Sequence, residues 1–202
     1  VVSAMLDHPD IDGICFVGST PTGKFIYKRC GETGKRVIAQ CGAKNFLVVM
    51  PDAVLDRTIR VCMTSFFGNT GQRCLSGAVL VPVGDAYEKL IPRFKEAASR
   101  LKLGYGLDEE TEMGPLVTRK AKERVLHYIE KGIVEGAKLT LDGRNANVPE
   151  YPKGYFIGAS VFEEVAPDMT IAKEEIFGPV ASVIRAETLN EAIEMANSTE
   201  YG

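Results

Sequence analysis

Imidazole is scarce in this chain of 202 residues: His8 and His127 are its only histidines, and its five cysteines include no CxxC pair. A structural zinc site built from clustered cysteine and histidine is therefore not expected. The cysteines (Cys15, Cys30, Cys41, Cys62, Cys74) are odd in number and widely spaced. That pattern predicts free thiols in a reducing compartment, the cytoplasm or the mitochondrial matrix. An excess of positive charge is also missing. The net charge of -3 offers no field for nucleic acid or an anionic membrane. No apolar run approaches the roughly 20 residues of a membrane span, and no signal peptide is seen. The remaining composition, 45% hydrophobic and 25% charged, suits a globular chain of one or two domains with a sizeable core. Val1-Val2-Ser3-Ala4-Met5 begins apolar without an initiator methionine, and the chain stops at Tyr201-Gly202. These ends predict an internal piece of a longer protein.

Strand and helix patterns alternate along the chain. Gly13 to Val17 reads as a buried strand, and Thr22 to Glu32 as a helix entered from a Gly-Ser-Thr turn. Arg36 to Gln40 and Asn45 to Met50 read as strands, Leu55 to Phe67 as an amphipathic helix, and Gly77 to Val83 as a strand. Tyr87 to Leu101 and Lys120 to Gly136 read as helices, the second with Val125, Leu126, Ile129 and Ile133 as its stripe and Gly136 as its stop. Lys138 to Leu141, Tyr155 to Phe162 and Val180 to Ile184 read as strands, with Asp142 to Lys153 an exposed loop. Thr188-Leu189-Asn190-Glu191 is a capping box that opens a last helix. The alternation predicts an α/β layered fold around a largely parallel sheet.

Three motifs carry chemistry. The first is Phe66-Phe67-Gly68-Asn69-Thr70-Gly71-Gln72-Arg73-Cys74, which sets one thiol in a glycine-flanked turn between a helix and a strand. A neighbouring guanidinium favours the thiolate, the reactive form. A lone cysteine is more often a small buried hydrophobe, so spacing alone leaves nucleophile and core residue both open. Cys15 and Cys62 sit in apolar patterns and read as core. The second motif, Gly18-Ser19-Thr20-Pro21-Thr22-Gly23-Lys24, follows a strand and opens a helix, where free N–H groups and the helix dipole favour a phosphate. It nearly matches the loop of nucleotide triphosphatases, but Phe25 replaces the hydroxyl residue that holds magnesium. The third, Lys173-Glu174-Glu175-Ile176-Phe177-Gly178-Pro179, is either a solvated acidic turn or a carboxylate that holds a sugar hydroxyl beside an aromatic wall.

With Gly42-Ala43-Lys44-Asn45 ahead of an apolar strand, the order and spacing of these motifs resemble the aldehyde dehydrogenase superfamily over the whole chain. The resemblance implies an incomplete α/β layered catalytic domain over residues 41–202, preceded at 1–40 by the end of a Rossmann-like nucleotide-binding domain. It implies that Cys74 attacks an aldehyde and carries the acyl group as a thioester, with its own N–H stabilising the oxyanion. Gly18 and Ser19 would lie against the cofactor pyrophosphate, Gly23 would belong to the same cofactor-binding set, Glu175 would hold the nicotinamide ribose of NAD, and Phe177 would pack near it. No metal is implied. The partner would be a small aldehyde, and the parent a homo-oligomer, dimer or tetramer. At the position where hydrolytic members carry a general-base glutamate stands Gln40, and an amide cannot take a proton at neutral pH. In this the chain resembles the CoA-acylating members, the methylmalonate-semialdehyde dehydrogenases, which imply coenzyme A as co-substrate. Two alternatives remain: a hydrolytic aldehyde dehydrogenase with another base, and a chain that folds but does not catalyse.

Overall fold

The computed structural model describes residues 1–201; Gly202, the last residue of the expected catalytic domain, lies outside them. The chain divides into two compact units, Val1–Ala43 and the remainder from Lys44 onward. In the first unit, α1 (Val2–Asp7) leads to β1 (Gly13–Val17), α2 (Thr20–Glu32) and β2 (Arg36–Gln40). β1 and β2 pair in parallel through the α2 crossover, with Gly13 opposite Arg36 and Val17 opposite Gln40. Leu6, Ile26 and Cys30 form a small core against Ile14, Phe16 and Val37. α2 starts at Thr20 rather than at Thr22, because Pro21 in the first turn has no N–H to lose there.

Cys15 is exposed, which corrects its reading as core. Its strand alternates, so Ile14 and Phe16 face the core while Gly13, Cys15 and Val17 point the other way. An apolar run hides this period, since both faces of β1 carry apolar residues.

The second unit contains β3 (Asn45–Val49), α3 (Leu55–Phe67), β4 (Gly77–Pro82), α4 (Ala86–Ser99), α5 (Arg119–Val134), β5 (Lys138–Leu141), β6 (Ser160–Glu163), α6 (Thr170–Lys173), β7 (Val180–Val183) and α7 (Leu189–Ala196). Its five-stranded sheet runs β3-β4-β7-β6-β5. All neighbours are parallel except β5 against β6. Successive residues of the central strands feed two cores, as a period of two requires. Val79, Val81, Val180 and Phe162 pack with Val125 and Ile129 of α5. Leu80, Ala181, Val183 and Val161 pack with α3 and α4 through Phe66, Phe67, Leu90 and Phe94. The result is the expected α/β layered fold around a mainly parallel sheet.

Local differences from the sequence expectation have local causes. Of the expected strand 155–162 only residues 160–162 join the sheet, in a strand that runs on to Glu163. Upstream, Gly158 donates to the Gly143 carbonyl at 2.8 Å, and Leu116 donates to the Tyr155 carbonyl at 3.0 Å, so loops take those backbone groups. Ile133, placed in the α5 stripe by spacing, is 38% exposed. Gly132 takes the buried place beside Ile171 and the Phe162 ring. Gly136 ends the helix at φ +97°, a left-handed value that favours glycine. Thr188 accepts from the Glu191 N–H as a cap requires, while the Glu191 carboxylate accepts from the Glu187 N–H.

Phe94 is wholly buried, with its ring 5.6 Å from that of Phe66 and 5.7 Å from that of Phe67. Phe94→Ala is expected to lower the unfolding free energy by about 3–5 kcal/mol, read as a lower urea midpoint at unchanged slope.

Candidate functional site

In the first unit, the turn Gly18-Ser19 lies exposed between β1 and α2. Gly18 donates its N–H to the Gln40 carbonyl at 3.1 Å, which ties the turn to the end of β2. Ser19 is the N-cap residue of α2, yet its side chain makes no capping bond. Its hydroxyl instead meets that of Thr22 at 3.0 Å. The first helical turn holds no acidic residue, so its free N–H groups and the positive end of the dipole are open to an anion. These features fit a pyrophosphate. Gly23 is buried, and a Cβ there would come 2.2 Å from Cys41 Sγ. Its place is packing: it lets α2 lie close on the strands. The Gln40 side chain is exposed at the end of β2.

In the second unit, Cys74 is exposed on the loop that joins α3 to β4. The approach to it is strained. Asn69, Thr70 and Gly71 all have positive φ, at 52°, 57° and 67°. For Thr70, whose β-branch disfavours that region, the cost is of order 1–3 kcal/mol. The surroundings hold the loop in place. Thr70 Oγ1 donates to the Gly114 carbonyl at 2.9 Å, and Gln72 Oε1 accepts from the Val117 N–H at 3.0 Å. Arg73 donates through Nη2 to the carbonyls of Thr64 and Ser65, at 2.6 and 3.1 Å. The guanidinium thus braces the end of α3, where a cation also complements the dipole. Asn45 donates from Nδ2 to the carbonyls of Cys74 and Ser76, both at 2.8 Å.

Gly71 also abuts the third motif. A Cβ on Gly71 would approach the Gly178 carbonyl oxygen to 2.2 Å, and one on Gly178 would approach Val125 to 2.3 Å. The thiol loop and the Glu-Glu-Ile-Phe-Gly-Pro turn therefore touch through backbone alone. On that turn Glu175 is half-buried, and Phe177 sits at φ +58° with the Arg124 guanidinium 5.9 Å above its ring. Arg124 also donates to the Ile176 carbonyl at 3.2 Å. Tyr128 donates its hydroxyl to Glu174 at 2.7 Å. Burial, and then the bond to Glu174, pushes the Tyr128 phenol up to about 12.

Lys44 completes the arrangement. It is 6% exposed, and its Nζ donates to the carbonyls of Ile171 and Glu174 at 2.8 and 2.7 Å. Burial lowers its pKa from 10.5 to about 7, against the opposing pull of Glu175 and Glu174. Lys44 and Asn45, neighbours in sequence, thus hold the acidic turn and the thiol loop respectively. The spacing of apolar residues gives no sign of these roles. The signal was a lysine and an asparagine at the head of the apolar run 46–50.

The structure brings Cys74, Glu175 and Phe177 onto adjoining loops of one unit, and Gly18, Ser19, Gly23 and Gln40 into the other. Among the described residues, no group of three or more His, Cys, Asp or Glu is placed to hold a metal ion.

The aldehyde dehydrogenase family matches residues 1–202, and the chain belongs to it. It is 46% identical to malonate-semialdehyde dehydrogenase 1 of Geobacillus thermodenitrificans over 201 residues, which are 100% of this chain and 41% of that protein. A structure from Sinorhizobium meliloti 1021, described as a methylmalonate-semialdehyde dehydrogenase complexed with NAD, superposes with a TM-score of 0.96 at 42% identity. It too covers 100% of this chain, and the match spans 41% of its own. Betaine aldehyde dehydrogenase of Staphylococcus aureus, in complex with NAD+, superposes at 0.94 with 28% identity, over 100% of this chain and 40% of its own. The chain therefore spans about two fifths of the length of the relatives it matches.

The Lys44 ammonium is disfavoured in the folded state, so the unfolded chain binds more protons between pH 7 and 10.5. Stability from this group accordingly rises with pH across that window, by at most about 1.4 kcal/mol per pH unit. Urea unfolding at pH 7 and pH 9 is expected to show this gain in the native chain. The gain is expected to vanish in Lys44→Met, which is also less stable at pH 9 because two carbonyls lose their donor.

Proposed function

We propose that the protein containing this chain oxidises a small semialdehyde with NAD and passes the acyl group to coenzyme A, with malonate or methylmalonate semialdehyde as the substrate. Cys74 carries this reading: an exposed thiol on a loop whose backbone is fixed by Asn45, Thr70, Gln72 and Arg73. Its sulfur adds to the aldehyde carbon, and the carbonyl electrons move to oxygen. No hydrogen bond from the Cys74 N–H is made among the described residues, so that donor is free for the oxyanion. NAD, when bound, supplies the hydride acceptor. Once the carbon is oxidised, Cys74 holds the acyl group as a thioester. The thiolate of coenzyme A then forms its own C–S bond and displaces the Cys74 thiolate.

The residues present suit the cofactor. Gly18, Ser19 and the first turn of α2 would hold the pyrophosphate, with Gly23 setting the approach of the helix. Residues 1–40 would then close the nucleotide-binding domain, and 41–202 would form most of the catalytic domain. Glu175 would take the nicotinamide ribose, with Phe177 alongside. The names of the relatives support the substrate, and Gln40 supports the acyl acceptor. An amide there cannot deprotonate water, so the thioester waits for a thiol.

The test is NADH formation by the complete enzyme with malonate semialdehyde. Sustained turnover is expected only with coenzyme A, after no more than one equivalent of NADH per site without it. Gln40→Glu is expected to raise the CoA-independent rate by about 10²-fold or more. Sustained turnover of the unaltered enzyme without coenzyme A would identify a hydrolytic enzyme instead.

A further inference from the structure

The acidic turn is gripped at residues on either side of Glu175. From the interior, Lys44 donates to the Glu174 carbonyl at 2.7 Å and so fixes the peptide that leads into Glu175. From α5, Tyr128 donates to the Glu174 carboxylate at 2.7 Å. Arg124 donates to the Ile176 and Phe177 carbonyls at 3.2 and 3.4 Å. Arg124 and Tyr128 stand one turn apart, at i and i+4, so they share one face of α5. The helix that carries them is a firm base. Val125 and Ile129, each next to one of them in sequence, are wholly buried in the core. Thr118 caps its N-terminus by accepting from the Ala121 N–H at 3.1 Å. Side chains on a packed helix hold a partner with less play than loop residues do.

Folding alone does not ask for these bonds. The turn is already closed by the Glu174 N–H, which donates to the Thr170 carbonyl at 2.8 Å, and by Gly178, seated against Gly71 and Val125. Glu174 and Arg124 are both exposed, where water serves a carboxylate or a guanidinium as well as protein does. Holding such long side chains in one geometry costs rotamer entropy. Phe177 is moreover kept at φ +58°, a left-handed value that a bulky side chain avoids. Arg124 both takes its carbonyl and lies over its ring. Backbone that is held in a sparsely populated region by its neighbours is characteristic of a ligand clamp.

We propose that Arg124 and Tyr128 are positioning residues that set Glu175 and Phe177 in advance for the nicotinamide ribose of the cofactor. The assignment rests on Glu175 taking that ribose. The two residues act through the turn, against the inner anchor at Lys44, and their role requires no contact with cofactor or substrate. A carboxylate already fixed in place loses little freedom when the ribose hydroxyls arrive. The cofactor is then bound more tightly with no new contact to it.

The test is the dissociation constant of NAD from the complete enzyme, read by titration calorimetry with no aldehyde present. Tyr128→Phe removes one oxygen from a half-buried ring, and an unchanged thermal midpoint checks the fold. It is expected to weaken NAD about tenfold, while kcat at saturating NAD changes less. Arg124→Leu is expected to weaken NAD similarly. Arg124→Lys is expected to retain most of the affinity, since an ammonium donates to the same carbonyls. Glu175→Gln is expected to weaken NAD as well, and Tyr128→Phe to add nothing further in that background, as befits a residue that acts through Glu175. A Tyr128→Phe enzyme that binds NAD as the unaltered one does overturns the proposal. So does a Tyr128→Phe effect that adds in full to that of Glu175→Gln, which is the mark of a merely structural role. A Glu175→Gln enzyme with unchanged affinity overturns the ribose reading itself and the proposal with it, so the two failures are told apart.

Discussion

The geometry of the thiol site depends on two adjacent side chains at the start of β3. Lys44 reaches the carbonyls of Ile171 and Glu174, and Asn45 reaches those of Cys74 and Ser76. Strand pairing alone would not fix either loop, since both leave the sheet before the residues that matter. A buried lysine is a costly way to anchor a turn, because burial disfavours its charge. The two carbonyls offset that cost: a neutral amine near pH 7 can satisfy both and leave no buried charge. Asn45 suits its task because one amide nitrogen carries two donors.

Strain and contact then act together. Three successive left-handed residues, two of them not glycine, turn the chain sharply ahead of Cys74. Such a turn persists only if its surroundings determine it. Here they do, through the Thr70 and Gln72 side chains and through the contact of Gly71 with Gly178. That contact makes the position of the acidic turn and that of the thiol loop one constraint. A shift of either moves the other, and Phe177, itself left-handed beneath Arg124, moves with them. The exposed thiol is held by backbone anchors rather than by packing, which leaves its sulfur free while its peptide groups stay fixed.

Much of this was legible in the sequence. Residues Leu55–Phe67 and Lys138–Leu141 follow strict helix and strand patterns, and their boundaries match the structure. The thiol loop and the acidic turn were legible as motifs, because glycines and a Gly-Pro pair mark sharp turns wherever they fall. What escaped the sequence depends on distant partners. Cys15 lies in a run that is apolar on both faces, so periodicity could not say which side is covered. Residues 155–159 have strand composition, but the 143 and 116 loops take their hydrogen bonds. The anchoring by Lys44 links residues 127 and 130 positions apart, beyond any local pattern.

The account's central claim is that Cys74 holds the acyl group until a thiol removes it. The most direct test is the mass of the Cys74 peptide from complete enzyme quenched in acid after incubation with the semialdehyde and NAD. The account predicts an acyl adduct on Cys74 that accumulates without coenzyme A and disappears within one turnover when it is added. An unmodified Cys74 alongside steady NADH formation, or an adduct on another residue, would contradict it.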